Sequence, residues 1–216
     1  MIGTESLTSP ARVRRAMTAD ERAEAAAVLR SDPVMADLLE RYDPYGTDDR
    51  APFERLCVSI ISQQLSTASA AAVRERAFET LGEVTPRRVL TADEAALREA
   101  GLSASKVDYL QNAARAFRDD DLTPAGLADH SDEAVVDRLT EIRGVGRWTA
   151  KMYLIFVLDR PDVLPLGDLA VRRGVETLYG DGDDGMSRAE MREVAEAWRP
   201  YRSHATRYVW ADYESE

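Results

Sequence analysis

The sequence predicts an all-α fold, on three observations. N-capping residues recur ahead of segments whose apolar residues follow the helical period, two of those caps are full capping boxes, and no segment alternates with period two for long enough to form a sheet. Thr18 with Glu21 opens a helix to about Leu29, and Asp32 followed by Pro33 opens another that runs to Tyr42. The apolar stretch Phe53 to Ile61 predicts a central helix that breaks near Gln63 and Gln64, after which Ser66 opens an alanine-rich helix to Leu81. Thr91 with Glu94 caps a helix that Gly101 ends, and Ser103 caps one running to Phe117. Ser131 caps the next, and Trp148 to Leu158 lies on the one after it. Asp168 to Tyr179 and Ser187 to Trp198 follow, the latter with Glu190 in its capping box. Pro200 sets apart a last segment, Ser203 to Tyr213. Residues 1–17 have no apolar periodicity and read as a loose arm.

The most informative stretch runs from Leu139 to Ala150, L-T-E-I-R-G-V-G-R-W-T-A. Leu139 and Ile142 close a helix on its apolar face, and Gly144 and Gly146 bracket Val145, so the backbone can turn sharply while valine plugs the turn into the core. A second helix then begins near Arg147. The free N–H groups of its first turn, with the positive end of its dipole, form a site for an anion. Gly144, Val145, Gly146, Arg147 and Thr149 are therefore candidate phosphate-binding residues, Thr149 as a cap or hydroxyl donor. An ordinary helix–turn–helix corner is the other reading of the same residues. The connection D-R-P-D-V-L-P-L-G-D, Asp159 to Asp168, follows, and Asp168 stands 22 residues beyond Gly146.

Leu139 to Ala150 with this connection and its aspartate resembles the helix–hairpin–helix signature of the HhH-GPD DNA glycosylase superfamily. Bifunctional relatives place a lysine where this chain has Trp148. The G-R-W-T-A string, S-Q-Q-L-S at Ser62 to Ser66, and R-S-H-A at Arg202 to Ala205 with Trp210 are similar to the alkylpurine, 3-methyladenine branch. The resemblance spans most of residues 35–213. It implies a two-lobed helical fold with the active-site cleft between the lobes: residues 18–52 with 180–216 as a terminal lobe, and 53–179, carrying the hairpin at 139–150, as a central lobe. It further implies removal of alkylated purines from damaged double-stranded DNA, by a monomer. The additional N-terminal domain of larger bacterial members finds no room in 216 residues. The hairpin carbonyls of Thr140, Ile142 and Gly144 are implied as holders of a structural monovalent cation.

Asp168 is the expected catalytic residue. Breaking an N-glycosidic bond builds positive charge on the deoxyribose, which a nearby carboxylate stabilises. A plain helix-capping role for Asp168 is the alternative, and the two roles can coexist. An alkylated purine such as 3-methyladenine carries positive charge and is selected by electron-rich rings that stack on it. Trp148 and Trp210 are the expected walls of the base pocket, with Tyr153 and Tyr208 as weaker candidates and Trp198 assigned to the core; core packing is the alternative for each of these rings. Gln63, Gln64 and Leu65, at a helix break, are candidates for a wedge that fills the gap left by a flipped base, Gln64 ahead of Leu65, against the reading of a plain helix end. Lys151, one turn beyond Trp148, keeps open a glycosylase/lyase. A helix–hairpin–helix binding module without catalysis is a second alternative.

Composition bounds these readings. Cys57 is the one cysteine; it excludes an intrachain disulfide and the four-cysteine iron–sulfur cluster of many relatives, so no cofactor is expected. No apolar run approaches a membrane span and no signal-peptide core opens the chain, which predicts a cytoplasmic protein. The net charge of −11 argues at first against a polyanionic partner. Two of the 28 basic residues are lysine, Lys106 and Lys151, and the others arginine, with acids spread through nearly every helix. Such a surface resembles that of halophilic proteins. At about 1 M salt the Debye length is only ~3 Å, so long-range repulsion is screened and direct contacts to phosphate matter more. The acidic run Asp181 to Gly185 lacks the EF-hand glycine and glutamate, Met186 and Arg192 standing in their places, and reads as a solvated turn. His130 and His204 lack the spacing of a transition-metal site.

Overall fold

A computed structural model describes residues 18–46, 48–180 and 185–215. Residues 1–17 and the acidic run at 181–184 lie outside the described residues. Among the described residues every regular element is an α-helix. In order they are α1 (Ala19–Leu29), α2 (Pro33–Arg41), α3 (Pro52–Ser62), α4 (Thr67–Leu81), α5 (Pro86–Thr91), α6 (Glu94–Glu99), α7 (Ala104–Asp119), α8 (Asp132–Thr140), α9 (Arg147–Phe156), α10 (Leu169–Tyr179), α11 (Arg188–Val194) and α12 (Arg202–Ser215). None is long and apolar enough to cross a membrane.

The capping chemistry read from the sequence starts most of these helices. Thr18 and Ser187 form full capping boxes with Glu21 and Glu190, while Asp32, Ser66, Ser103 and Ser131 each accept a first-turn backbone N–H. The stretch after Leu81 differs from expectation. Thr85 caps α5, a short helix that the sequence did not announce, and Thr91 ends that helix, its hydroxyl donating to the Arg87 carbonyl. Asp93, and not Thr91, caps α6.

Two hydrophobic clusters divide the molecule. The first joins Phe53, Leu56 and Ile60 of α3 to Leu110 and Ala113 of α7, and to Val136 of α8 and Leu154 of α9. The second joins Leu29, Met35 and Leu38 to Val171, Val175, Trp198, Ala205 and Val209. Leu164 and Leu166 already belong to the second cluster, so residues 164–179, expected in the central lobe, pack with the terminal helices. The reason is the apolar face of α10, which closes on α12: a Cβ on Gly174 would meet Val209 at 2.6 Å. The chain crosses between lobes at 159–166, and the start of α12 fixes the crossing. Arg202 grips Asp162 at 2.6 and 3.0 Å, and the Ser203 hydroxyl accepts the Val163 N–H while donating to the Arg160 carbonyl. Trp210, on the same helix, packs against both clusters.

Candidate active site

The cleft between the lobes has a volume of about 720 Å³. Its floor is a stripe on α9, Trp148, Met152 and Phe156, spaced i, i+4, i+8 so that all three project from one face. One wall is α4, with Thr67, Ala70 and Arg74 on one face and Leu65 and Ser66 ahead of them. The other wall combines the start of α10, Asp168 to Ala170, with Arg207, Trp210, Ala211 and Glu214 of α12. The exposed large apolar side chains among the described residues are Leu65, Leu169 and Tyr213, and all three line this cleft.

Asp168 is fixed by three N–H donors. Trp148 Nε1 donates to Oδ2 at 2.7 Å, Trp210 Nε1 donates to Oδ1 at 3.2 Å, and the Val171 amide donates to Oδ1 at 3.0 Å, which caps α10. A carboxylate offers roughly four acceptor positions, so about one is left for a group in the cleft. Trp210 in turn stacks on Phe156, centroids 5.5 Å apart and planes 19° from parallel. Arg55 and Arg207 lie over the Phe156 ring at 4.2 and 4.9 Å. A carboxylate fixed in this way needs no reorganisation to meet positive charge that develops beside it.

The hairpin sits at the N-terminal end of the same helix α9. Gly144 has φ +100°, and a Cβ there would collide with the Tyr109 ring, so the fold itself demands glycine. Gly146 differs: its φ is −92° and a Cβ would meet nothing within 4 Å. It caps α9 with no side-chain hydrogen bond, so the first-turn amides of α9 receive no side-chain acceptor from that position. Val145 is buried beneath the turn, 4 % exposed. Arg147 is exposed and its guanidinium is drawn back to Glu133 of α8 at 2.9 Å.

Several residues do not stand where the sequence placed them. Tyr153 is 1 % exposed and donates to the Leu122 carbonyl, so it is a core residue and not a pocket wall. Five residues from Trp148 on a 3.6-residue helix, it faces away from the cleft. Tyr208 likewise is buried edge-on against Tyr45. The Thr149 hydroxyl, expected at the phosphate, is buried and accepts from Gln63 Nε2 at 2.9 Å. The same Gln63 nitrogen donates to the Gly144 carbonyl at 2.9 Å, so Gln63 ties the α3–α4 bend to the hairpin and is not a free wedge. Gln64 and Leu65 stay exposed at that bend, Gln64 at φ +59°. Trp198 is fully buried and donates to Asp32, the cap of α2. Met152, Phe156 and Leu169 line the cleft without having been singled out; the i, i+4, i+8 spacing from Trp148 was the available signal for the first two.

Lys151 lies outside the cleft. Its Nζ donates to the Leu164 carbonyl at 2.8 Å beside a separate cavity of about 380 Å³ bordered by Glu133, Asp162 and Arg192, and burial lowers its pKa from the ordinary lysine value. Among the described residues no three His, Cys, Asp or Glu side chains converge to hold a metal. The hairpin carbonyls of Ile142 and Gly144 accept from the Val145 amide and from Gln63, and each keeps a second lone pair.

Comparison with known proteins agrees with this geometry. Residues 57–200 match the family model described as HhH-GPD superfamily base excision DNA repair protein. A relative from Schizosaccharomyces pombe named DNA-3-methyladenine glycosylase 1 is 32 % identical over 195 residues, 83 % of this chain and 82 % of its own length. The solved structure of the 3-methyladenine DNA glycosylase from that yeast in complex with abasic DNA superposes with a TM-score of 0.78, at 29 % identity, covering 87 % of this chain and 95 % of the other. A DNA-3-methyladenine glycosidase structure from Bacillus halodurans superposes at 0.72 with 30 % identity, covering 88 % of each chain. A glycine-bracketed hairpin feeding a tryptophan-lined cleft, an aspartate clamped at its edge, and this likeness over most of the sequence together establish that the chain belongs to the HhH-GPD superfamily of base excision DNA repair proteins.

Proposed function

We propose that this protein is a monofunctional DNA glycosylase that releases alkylated purines of the 3-methyladenine type by hydrolysing the N-glycosidic bond, the opening step of base excision repair. The observation that carries this reading is the Asp168 carboxylate held between the indole N–H groups of Trp148 and Trp210 inside an interlobe cleft. The first-turn amides of α9 take a phosphate of the lesion strand across the open face of Gly146. The damaged nucleotide leaves the duplex, which costs a few kcal/mol and is cheapest at a weakly stacked lesion, while Gln64 and Leu65 occupy the space it vacates. The cationic base stacks against the indole faces. The bond from C1′ to the base nitrogen breaks with its electron pair leaving on the base, and positive charge develops on the sugar. A charge about 4 Å from Asp168 at an effective dielectric of about 20 is stabilised by about 4 kcal/mol, roughly a thousandfold in rate. Water adds to C1′ and loses a proton to solvent, giving neutral free base and an abasic site, with the last acceptor position of Asp168 available to orient the water. An alkylated purine is already a good leaving group, so no strong general acid is required.

The lyase alternative needs an amine at the reacting carbon. Trp148 offers none, and Lys151 borders the other cavity. A monovalent cation on the carbonyls of Thr140, Ile142 and Gly144 would stiffen the hairpin and contribute nothing to the chemistry. The test is chromatography of the bases released from methylated duplex DNA over a series of salt concentrations reaching the molar range, with borohydride added in parallel. Free 3-methyladenine without a trapped covalent adduct is expected. No released base at any salt, or a trapped adduct, would overturn the reading.

A further inference from the structure

The cleft has four charged side chains on its lining, and two of them, Asp168 and Arg207, are committed. Asp168 is held by its three donors, Glu214 is an acid on the α12 wall, and Arg207 donates to the Ile155 carbonyl and lies over Phe156. Arg74 differs from Arg207, the other cation of the cleft: among the described residues it has no hydrogen-bond, ion-pair or ring partner. Its neighbour one half-turn on, Arg76, donates to the Ala100 carbonyl, and the hairpin's Arg147 is held by Glu133.

Position gives Arg74 a partner. It follows Thr67 and Ala70 on one face of α4, two small residues that leave that wall low, and α4 begins at the bend that Gln63 ties to the hairpin. Thr67 and Arg74 are about 10 Å apart along the helix axis, so Arg74 stands well along the cleft wall from the bend where α4 begins. A half-buried guanidinium at an enzyme cleft, in a chain of net charge −11, is a strong site for an anion that arrives with the substrate. We propose that Arg74 is a positioning residue that binds a second phosphate of the lesion strand, on the α4 wall and separate from the phosphate at the hairpin. The strand would then be fixed at both ends of the extruded nucleotide. This rests on the reading of the cleft as a lesion-DNA site, but its test does not depend on base release.

The experiment measures binding of wild type, Arg74→Gln and Arg74→Lys to an abasic-site duplex across a salt series, with single methylphosphonates placed in turn at each phosphate flanking the site. Arg74→Gln should weaken binding about tenfold and lower the slope of log K against log salt by about 0.9, with Arg74→Lys in between and thermal stability unchanged. One methylphosphonate should weaken wild type and leave Arg74→Gln indifferent. Equal affinity and slope in wild type and Arg74→Gln, or additive losses at every phosphate, would overturn the proposal. An altered lesion preference with unchanged salt slope would make Arg74 a reader of the base and overturn it too. Failure of wild type to bind any lesion duplex would sink the reading of the cleft, a distinguishable result.

Discussion

Trp148 donates its indole N–H to Asp168 Oδ2 at 2.7 Å, the shortest of the three hydrogen bonds that hold the carboxylate. The side chain therefore has two separable functions, a ring to stack on and a donor that aims the acid. Trp148→Phe keeps the first and removes the second. A hydrogen bond to a charged group contributes about 1.5–3 kcal/mol, so single-turnover base release should slow roughly ten- to a hundredfold while affinity for abasic DNA stays within a few-fold. Trp210→Phe, whose bond is longer at 3.2 Å, should lose less. Equal and negligible effects of both changes would mean that the indole donors do not position the acid.

The two hairpin glycines should part company under the same substitution. Gly144→Ala places a Cβ against Tyr109 at a φ of +100° and should cost about 2–4 kcal/mol in urea unfolding. Gly146→Ala meets no atom of the protein, so its stability should stay within about 0.5 kcal/mol of wild type. Its new methyl group stands where the strand approaches, and DNA affinity should fall. A Gly146→Ala protein that binds normally would argue against a phosphate at the α9 amides.

Gln63, Gln64 and Leu65 are adjacent in sequence and should behave as two classes. Gln63→Ala leaves the Gly144 carbonyl and the buried Thr149 hydroxyl without their shared donor and should lower stability by about 1–3 kcal/mol. Gln64→Ala and Leu65→Ala should leave the melting temperature nearly unchanged and reduce fluorescence from a 2-aminopurine probe placed to report extrusion. A stable Gln63→Ala variant defective only in extrusion would restore Gln63 as the wedge.

His204 supplies a pH signature. It is 6 % exposed and hydrogen-bonded to Tyr45, and burial, with Arg207 adding to it, pushes its pKa down from 6.5 to about 4. The unfolded chain therefore binds a proton that the folded chain refuses between those values, and stability falls as pH drops through that window and levels off below it. The contribution is about 3 kcal/mol at about 1.4 kcal/mol per pKa unit. His204→Gln should flatten this part of the curve measured by denaturant unfolding at pH 7 and pH 4. An identical pH dependence in both proteins would show that His204 protonates freely when folded.

How much of this was legible in the sequence follows from what each signal encodes. Capping residues name a helix start through local hydrogen bonds, so Thr18, Asp32, Ser103 and Ser187 could be read directly, and the paired glycines around Val145 fixed the hairpin. Thr91 misled because Asp93, two residues on, competes for the same role, and α5 is too short to display a period. Asp168 was legible by its distance from the hairpin, but its clamp was not, since nothing local says that Trp148 and Trp210, 62 positions apart, donate to opposite oxygens. Tyr153, Tyr208 and Thr149 depart from expectation for one reason: residue type does not encode the rotation that separates each from Trp148 or Trp210 along its helix. The lobe boundary lay hidden in the same way, because α10 is apolar on a face that only α12 can reveal.

The measurement that bears most directly on the central claim is single-turnover release of 3-methyladenine by Asp168→Asn beside wild type, with affinity for an abasic duplex determined in parallel. Asparagine keeps the size and one oxygen of the side chain but not its charge. The variant should release base about a thousandfold more slowly with abasic-site affinity within a few-fold of wild type. Base release at the wild-type rate by Asp168→Asn would contradict it.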